Sequence, residues 1–361
     1  MAPQPRPGIL DVEAYVGGES KAPGERPPVR LASNENPLGP SAKAVEAYRV
    51  AEAELHRYPD GSAAALRRAL GSLHGLDPER IVCGAGSDEL ITLLARAYAG
   101  PGDEGLHSAH GFLMYGIAAK TAGAKVVTAR EANLTADVDA LLAKVTPQTR
   151  VLFLANPNNP TGTYLPRDEV RRLHAALPPE VLLVLDAAYA EYVTEADYED
   201  GSALVEASDN VVMTRTFSKI YGLAALRLGW AYCPPAVAGV LNRMRGPFNV
   251  TQTAQVAGLA ALGDQDHVAQ SRAHNETWRA WLLENLRGLG LETTASVGNF
   301  LLVQFTDVPG RTASEALASL KEQAVLVRGM AAYGLPDCLR ITVGTEAENE
   351  AVVAALRRFL G

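Results

Sequence analysis

Lys219 stands inside the stretch TRTFSKIYGLAALRLGW, Thr214–Trp230, between Ser218 and Ile220 and just after the β-like run Val211–Thr214. Small, apolar and hydroxyl residues surround it, with Arg215 and Arg227 the only other charges. Burial penalises an ammonium, so a lysine taken out of water there would favour its neutral form. A neutral amine can attack a carbonyl and form a Schiff base. Arg227 follows eight residues later and Ser218 is adjacent. A hydroxyl and a guanidinium together suit a bound phosphate. The stretch by itself makes burial plausible and decides nothing more, and Arg215 finds no role in it.

Other chemistry-bearing residues also follow short apolar runs. After Ile81–Cys83 comes GAGSDE, Gly84–Glu89, at an expected helix start. Exposed N–H groups of a helix N-terminus at Gly86, Ser87 and Asp88 would suit a phosphate. A tight turn with Ser87 as N-cap is the plainer reading. The dinucleotide fingerprint fails because Glu89 stands at its third glycine, and there is no GxxxxGK[ST]. After Val151–Leu154 comes ANPNNPTG, where Asn158 and Asn159 offer more amide hydrogen-bonding capacity than a connection needs. After Val181–Leu185 comes Asp186, with Tyr189 three residues on. A carboxylate ending an apolar run is costly unless something pairs with it, or unless it caps a helix. A protonated ring nitrogen would be a fitting partner. His107 and His110 form an HxxH pair with no third ligand in view, so no metal site is expected.

These residues must be positioned by something. Apolar runs at 81–83, 125–128, 151–154, 181–185, 211–214 and 228–232 alternate with amphipathic helical stretches such as 88–99 and 166–176. That alternation predicts an α/β fold, a parallel sheet covered on both faces. In such sheets ligands bind beyond the carboxyl ends of the strands, where the residues above would all meet. The first forty residues are rich in Pro and Gly and read as an arm rather than a packed unit, with a helix from Ser41. Residues 251–289 read as helical, a natural hinge. Strands at 299–305, 324–328 and 338–343 with helices at 314–323 and 347–360 then give a compact α+β unit. The expected division is an arm 1–40 associated with the small domain, a large domain 41–262 and a small domain 263–361.

Composition excludes some function classes. A net charge of −8 over 361 residues argues against a nucleic-acid footprint, and no basic run suggests an anionic membrane surface. Cys83, Cys233 and Cys338 are far apart and form no CxxC, which suits reduced thiols and a cytoplasmic location. No apolar stretch has the length of a signal core or a membrane span.

Taken together, the separate groups describe one ligand. A phosphate is met by Gly86, Ser87, Asp88, Ser218 and Arg227, a ring nitrogen by Asp186, a phenolic oxygen by Asn159 and Tyr189, and an aldehyde by Lys219. That ligand is pyridoxal 5′-phosphate, whose ring, protonated beside a carboxylate, acts as an electron sink.

The order GSDE, NPNNPTG, DxxY, SK and an arginine eight residues after the lysine resembles the fold-type-I, aspartate-aminotransferase superfamily over nearly the whole chain. Further segments are similar to the histidinol-phosphate aminotransferase family. They are LASNENPLGPS (31–41), RYPDG (57–61), HGFLMY (110–115), VGNFLLV (297–303), VLVRGMAAYGLP (325–336) and CLRITVGT (338–345). The resemblance implies transamination between L-histidinol phosphate and 2-oxoglutarate, giving imidazole acetol phosphate and glutamate, in histidine biosynthesis. It implies that Phe112 stacks on the cofactor ring and that Tyr58 reaches the site of the neighbouring subunit of a homodimer. It implies that Arg340 holds the acidic end of the substrate, assisted by Tyr15 and Arg328. Read alone, Arg340 could be an edge charge of a strand and Phe112 ordinary core. His110-Gly111 stands where many members carry Pro-Thr, a variant that also looks like members accepting aromatic amino acids. An aromatic aminotransferase or dual-specificity enzyme on the same scaffold is therefore the alternative, and a related decarboxylase a more distant one.

Overall fold

The computed structural model describes residues 3–6, 8–21 and 27–361. Its centre is a seven-stranded sheet. In spatial order the strands are Ile81–Gly84, Gly229–Tyr232, Val211–Thr216, Leu182–Asp186, Thr149–Ala155, Glu104–Ser108 and Lys125–Ala129. The pairings among the last five are parallel. Gly229–Tyr232 runs antiparallel to both its neighbours, so the sheet is mostly parallel, as expected, and mixed at one end.

Side chains alternate between two cores. Leu152, Leu154, Leu183, Leu185, Val211 and Met213 enter one. Val151, Phe153, Leu182, Val184 and Val212 enter the other. Both faces are covered, which is why these strands read as continuous apolar runs.

Glu104–Ser108 is a strand that the sequence reading did not find. EGLHS carries no β-branched or aromatic run, yet all five residues are buried between two parallel partners. A Cβ at Gly105 would lie 2.8 Å from the Ala119 methyl, so the glycine admits the helix Leu113–Ala122 against the strand.

Local signals set the helix starts. Ser41 accepts from the Ala44 N–H and opens Ala42–Ala51. Thr251 does the same for Gln252–Leu262. Thr312 with Glu315, and Thr345 with Glu348, form reciprocal capping boxes. The helical stretch expected at 251–289 is two helices, Gln252–Leu262 and Gln265–Gly288, interrupted at Gly263-Asp264.

A second sheet has the order Glu292–Thr293, Phe300–Gln304, Cys338–Thr342, Arg328–Gly329. With the helices Ala313–Glu322 and Glu346–Leu360 it encloses a third core. The strand expected at 324–328 is divided. Arg328–Gly329 joins this sheet, and Val325–Leu326 pairs with Val29–Arg30. The reading of the first forty residues as unpacked is corrected for their last part. Val29–Arg30 is paired, and Leu31, Ala32, Asn34 and Asn36 are buried. Among the described residues, no helix is long and apolar enough to cross a membrane.

Candidate functional site

The parallel pairing places Ala155 beside Asp186 and Asp186 beside Thr214, so three chain exits lie side by side at one sheet edge. Asn159, Tyr189, Ser218 and Lys219 follow those exits within five residues each. All of them line one cavity of about 240 Å³. Ser87, Asp88, Phe112, Arg227, Arg328 and Arg340 line it too, as does Tyr15 from the arm.

Lys219 Nζ donates to the Ser33 carbonyl at 3.2 Å and lies 5.8 Å from the centre of the Tyr189 ring. Burial, then the positive field of Arg340, pulls its pKa down to about 8. Asp186 ends its strand and caps no helix. Desolvation pushes its carboxyl up to about 6, opposed by the Tyr115 hydroxyl, which donates to Oδ2 at 2.7 Å. Thr214 Oγ1 lies 3.4 Å from the other oxygen.

At the opposite end the helix Ser87–Tyr98 points its N-terminus into the cavity. The residue at its N-cap is Gly86, not Ser87, so Ser87 is the first helical residue with its N–H free of the helix ladder. Gly86 has φ +86°, and a Cβ there would stand 2.5 Å from Arg227 Nη2. Arg227 reaches Ser218 Oγ and Asp88 Oδ2, both at 3.2 Å. Gly229 lets its strand run beside the same turn, since its Cβ would lie 2.4 Å from the Ser87 nitrogen. A helix N-terminus, a hydroxyl and a guanidinium thus converge, which is chemistry for a phosphate.

The two asparagines of the ANPNNPTG loop divide their work. Asn158 spends its amide on Thr161 Oγ1 and the His110 carbonyl, inside the loop. Asn159 faces the cavity, and its Oδ1 accepts from Arg340 Nη1. That bond commits the amide oxygen and leaves the NH₂ for a ligand.

Arg340 is not an edge charge. It is 6% exposed, in a strand with neighbours on both sides. Nη2 donates to the Ala32 carbonyl at 2.8 Å, the guanidinium lies over the Phe300 ring, and Nε has no hydrogen-bond partner. Burial lowers its pKa from the usual arginine value. A desolvated, under-satisfied guanidinium facing a cavity suits an anion. Arg328 lies over the Tyr15 ring and donates to the Val16 carbonyl, tying the arm to the cavity mouth. Phe112 meets Tyr115 edge-on, with centroids 5.8 Å apart.

Tyr58 stands apart from this cavity. It is 84% exposed and stacks on Phe248 at 4.7 Å. The HxxH pair is divided, since His110 Nδ1 meets Glu131 at 2.8 Å while His107 Nδ1 meets the Ser108 carbonyl. Arg215, without a role in the sequence, is buried with Glu191 at 2.8 Å and Asp200 at 3.1 Å and lies over Trp230. Among the further cavity residues that received no role from the sequence are Asn34, Tyr115 and Tyr333. Each lies inside a segment quoted above. The one local signal is that Tyr115 is three positions past Phe112 on the same helix face.

The model of the family described as aminotransferase class I and II matches residues 26–356. The histidinol-phosphate aminotransferase of Paramagnetospirillum magneticum is 59% identical over 360 residues, covering 100% of this chain and 99% of that protein. The histidinol-phosphate aminotransferase of Rhodospirillum centenum is 60% identical over 358 residues, covering 99% of each. Among solved structures, the histidinol-phosphate aminotransferase of Sinorhizobium meliloti in complex with pyridoxal 5′-phosphate superposes with a TM-score of 0.91. It is 28% identical, over 100% of this chain and 98% of that one. With a cavity lined by Lys219, Asp186 and Arg340, and with matches over this length, the chain belongs to the class I and II aminotransferase family.

Proposed function

We propose that this chain transfers an amino group between L-histidinol phosphate and 2-oxoglutarate, with pyridoxal 5′-phosphate held in the cavity. The observation that carries the reading is the convergence of Lys219, Asp186 and Arg340 on one cavity, in a chain 59–60% identical to histidinol-phosphate aminotransferases. The residues fit the cofactor end to end. The Ser87 N–H, Ser218 and Arg227 suit its phosphate, Asn159 and Tyr189 its phenolic oxygen, Asp186 its ring nitrogen and Lys219 its aldehyde. When bound, the cofactor supplies that aldehyde and a ring that withdraws electrons from the substrate Cα.

The chain's own groups do the rest. Asp186, whose carboxyl burial raises to about 6 against the Tyr115 hydrogen bond, would hold the proton of the ring nitrogen. Lys219, drawn down to about 8, is a base matched to neutral pH. Freed by the incoming substrate amine, its Nζ would take the proton from the substrate Cα and deliver it to the carbon that carried the cofactor's aldehyde, the transfer that moves the amino group. Arg340 would fix the acidic end of the substrate, assisted by Arg328 beside it and by Tyr15 from the arm. Phe112 flanks the ring face. Residues 263–361 form the unit that carries Arg328 and Arg340, set against the large unit 41–262.

Tyr58 has no ligand to address in its own chain. Its exposure beside Phe248 supports a homodimer in which it reaches the neighbouring cavity. A cytoplasmic location goes with this reading.

Borohydride reduction of the purified protein with pyridoxal 5′-phosphate, followed by peptide mapping, tests the core of the proposal. The adduct is expected on Lys219, and an adduct on another lysine refutes the assignment. The aromatic walls offered by Tyr15, Phe112 and Tyr333 favour one second reading, activity on phenylalanine or tyrosine. Comparison of kcat/KM for histidinol phosphate and for those amino acids separates the two.

A further inference from the structure

Ala32, Ser33 and Asn34 each touch a different working group. The Ala32 carbonyl accepts from Arg340, the Ser33 carbonyl from Lys219, and the Asn34 amide donates to the Tyr189 hydroxyl at 2.9 Å. Asn34 is 1% exposed and holds φ +55°, a left-handed conformation that asparagine tolerates better than most residues. Its surroundings fix which way the amide points. The Asn34 N–H donates to Thr342 Oγ1 at 3.0 Å. The Thr342 hydroxyl has one proton, and its remaining contact is Asn34 Oδ1 at 3.2 Å. With Oδ1 toward Thr342 that proton has an acceptor among the described residues, which it would lose if the amide were turned over, so this orientation is favoured and puts Nδ2 toward Tyr189. The Asn34 carbonyl accepts from Asn299 Nδ2 at 3.0 Å, which anchors the backbone as well.

The consequence lies at the Tyr189 oxygen. It accepts from Asn34, its one hydrogen-bond partner among the described residues, so its own proton remains for a ligand in the cavity that both residues line. We propose that Asn34 is a positioning residue that makes Tyr189 an obligate hydrogen-bond donor to the phenolic oxygen of the bound cofactor, and that Thr342 sets its orientation. Thr342 lies two positions after Arg340 on the same strand, so one strand positions both the anion-binding guanidinium and, through Asn34, the tyrosine hydroxyl.

This rests on the reading of Tyr189 given above, and the test separates the two. A hydrogen bond donated to the anionic ring oxygen stabilises that anion, so the proton shared between that oxygen and the lysine nitrogen leaves at lower pH. Losing the donor keeps the proton to higher pH. The measurement is the pH midpoint of the cofactor's visible absorbance in the holoenzyme, together with the dissociation constant for pyridoxal 5′-phosphate. Tyr189→Phe is expected to raise the midpoint by roughly one pH unit, the scale of one hydrogen bond to a charged group. Asn34→Gly, which keeps the positive φ but removes the amide, is expected to raise it by a smaller amount. Thr342→Val, which unlocks the amide while retaining Asn34, should move it in the same direction. The Asn34→Gly/Tyr189→Phe double variant should go no further than Tyr189→Phe alone. A shift in Tyr189→Phe with none in Asn34→Gly or Thr342→Val overturns the role of Asn34 and leaves Tyr189 in place. No shift in Tyr189→Phe overturns the reading of Tyr189 and the proposal with it.

Discussion

Gly86→Ala is expected to weaken cofactor binding through Arg227 rather than through any lost contact of its own. Gly86 holds φ +86° and ψ 164°, a region open essentially to glycine alone. Forcing an alanine into it costs about 1–3 kcal/mol of stability. The added Cβ would also stand 2.5 Å from Arg227 Nη2 and 3.3 Å from its Cζ, inside van der Waals contact. The guanidinium is 48% exposed and can swing away, and in doing so leaves Ser218 and Asp88, each now at 3.2 Å. A charge-assisted hydrogen bond to an anion is worth about 1.5–3 kcal/mol, so the dissociation constant for pyridoxal 5′-phosphate should rise about 10- to 100-fold. The assay is cofactor titration of Gly86→Ala, Arg227→Ala and the double variant, with urea unfolding of the cofactor-free proteins alongside. If the clash acts through Arg227, Gly86→Ala adds little to the affinity loss in the Arg227→Ala background, while the stability loss persists there. Additive affinity losses would refute this account and place the damage in the backbone N–H groups at the helix start.

Three further outcomes follow from the same structure. In the cofactor-free protein, Lys219 should react with an acylating reagent with a midpoint near pH 8, because burial and Arg340 lower its pKa, and a midpoint near 10.5 would refute that environment. Arg215→Met leaves Glu191 and Asp200 without their cation and should cost about 3–5 kcal/mol in urea unfolding; a loss below about 1 kcal/mol would show that the pairs contribute little. His74, stacked on Trp230, is pushed down to about 4 by burial and then by the charge of Arg215. Between that value and 6.5 the unfolded chain binds the extra proton. Stability contributed by neutral His74 is thus complete above about pH 6.5 and falls as pH drops toward 4. His74→Phe should flatten that part of the melting-temperature profile, and an unchanged slope would exclude His74 as its source.

Much of the site was legible because its residues follow the strands that hold them. Apolar runs marked six of the seven central strands, and Asp186, Asn159, Ser87 and Lys219 were found by looking just past their ends. The strand Glu104–Ser108 escaped because its burial comes from parallel neighbours and a packed helix, not from its own residue types. The interrupted helix at 263–264 escaped because an apolar pattern that continues past a glycine looks unbroken in one dimension.

By itself the sequence determined which groups can do chemistry and at which strand ends they stand, since helix caps, apolar periodicity and loop composition are written within a few residues. Only the tertiary structure decided which of those groups are partnered and which way they point. Asn159 is oriented by Arg340 across 181 positions, Tyr189 by Asn34 across 155, and Asn34 in turn by Thr342 across 308. Arg215 became one member of a buried ion cluster, and Arg340 became a desolvated guanidinium rather than an edge charge. The reason is physical. A side chain's charge state and hydrogen-bond direction depend on what lies within a few ångströms of it, and here those neighbours come from distant parts of the chain.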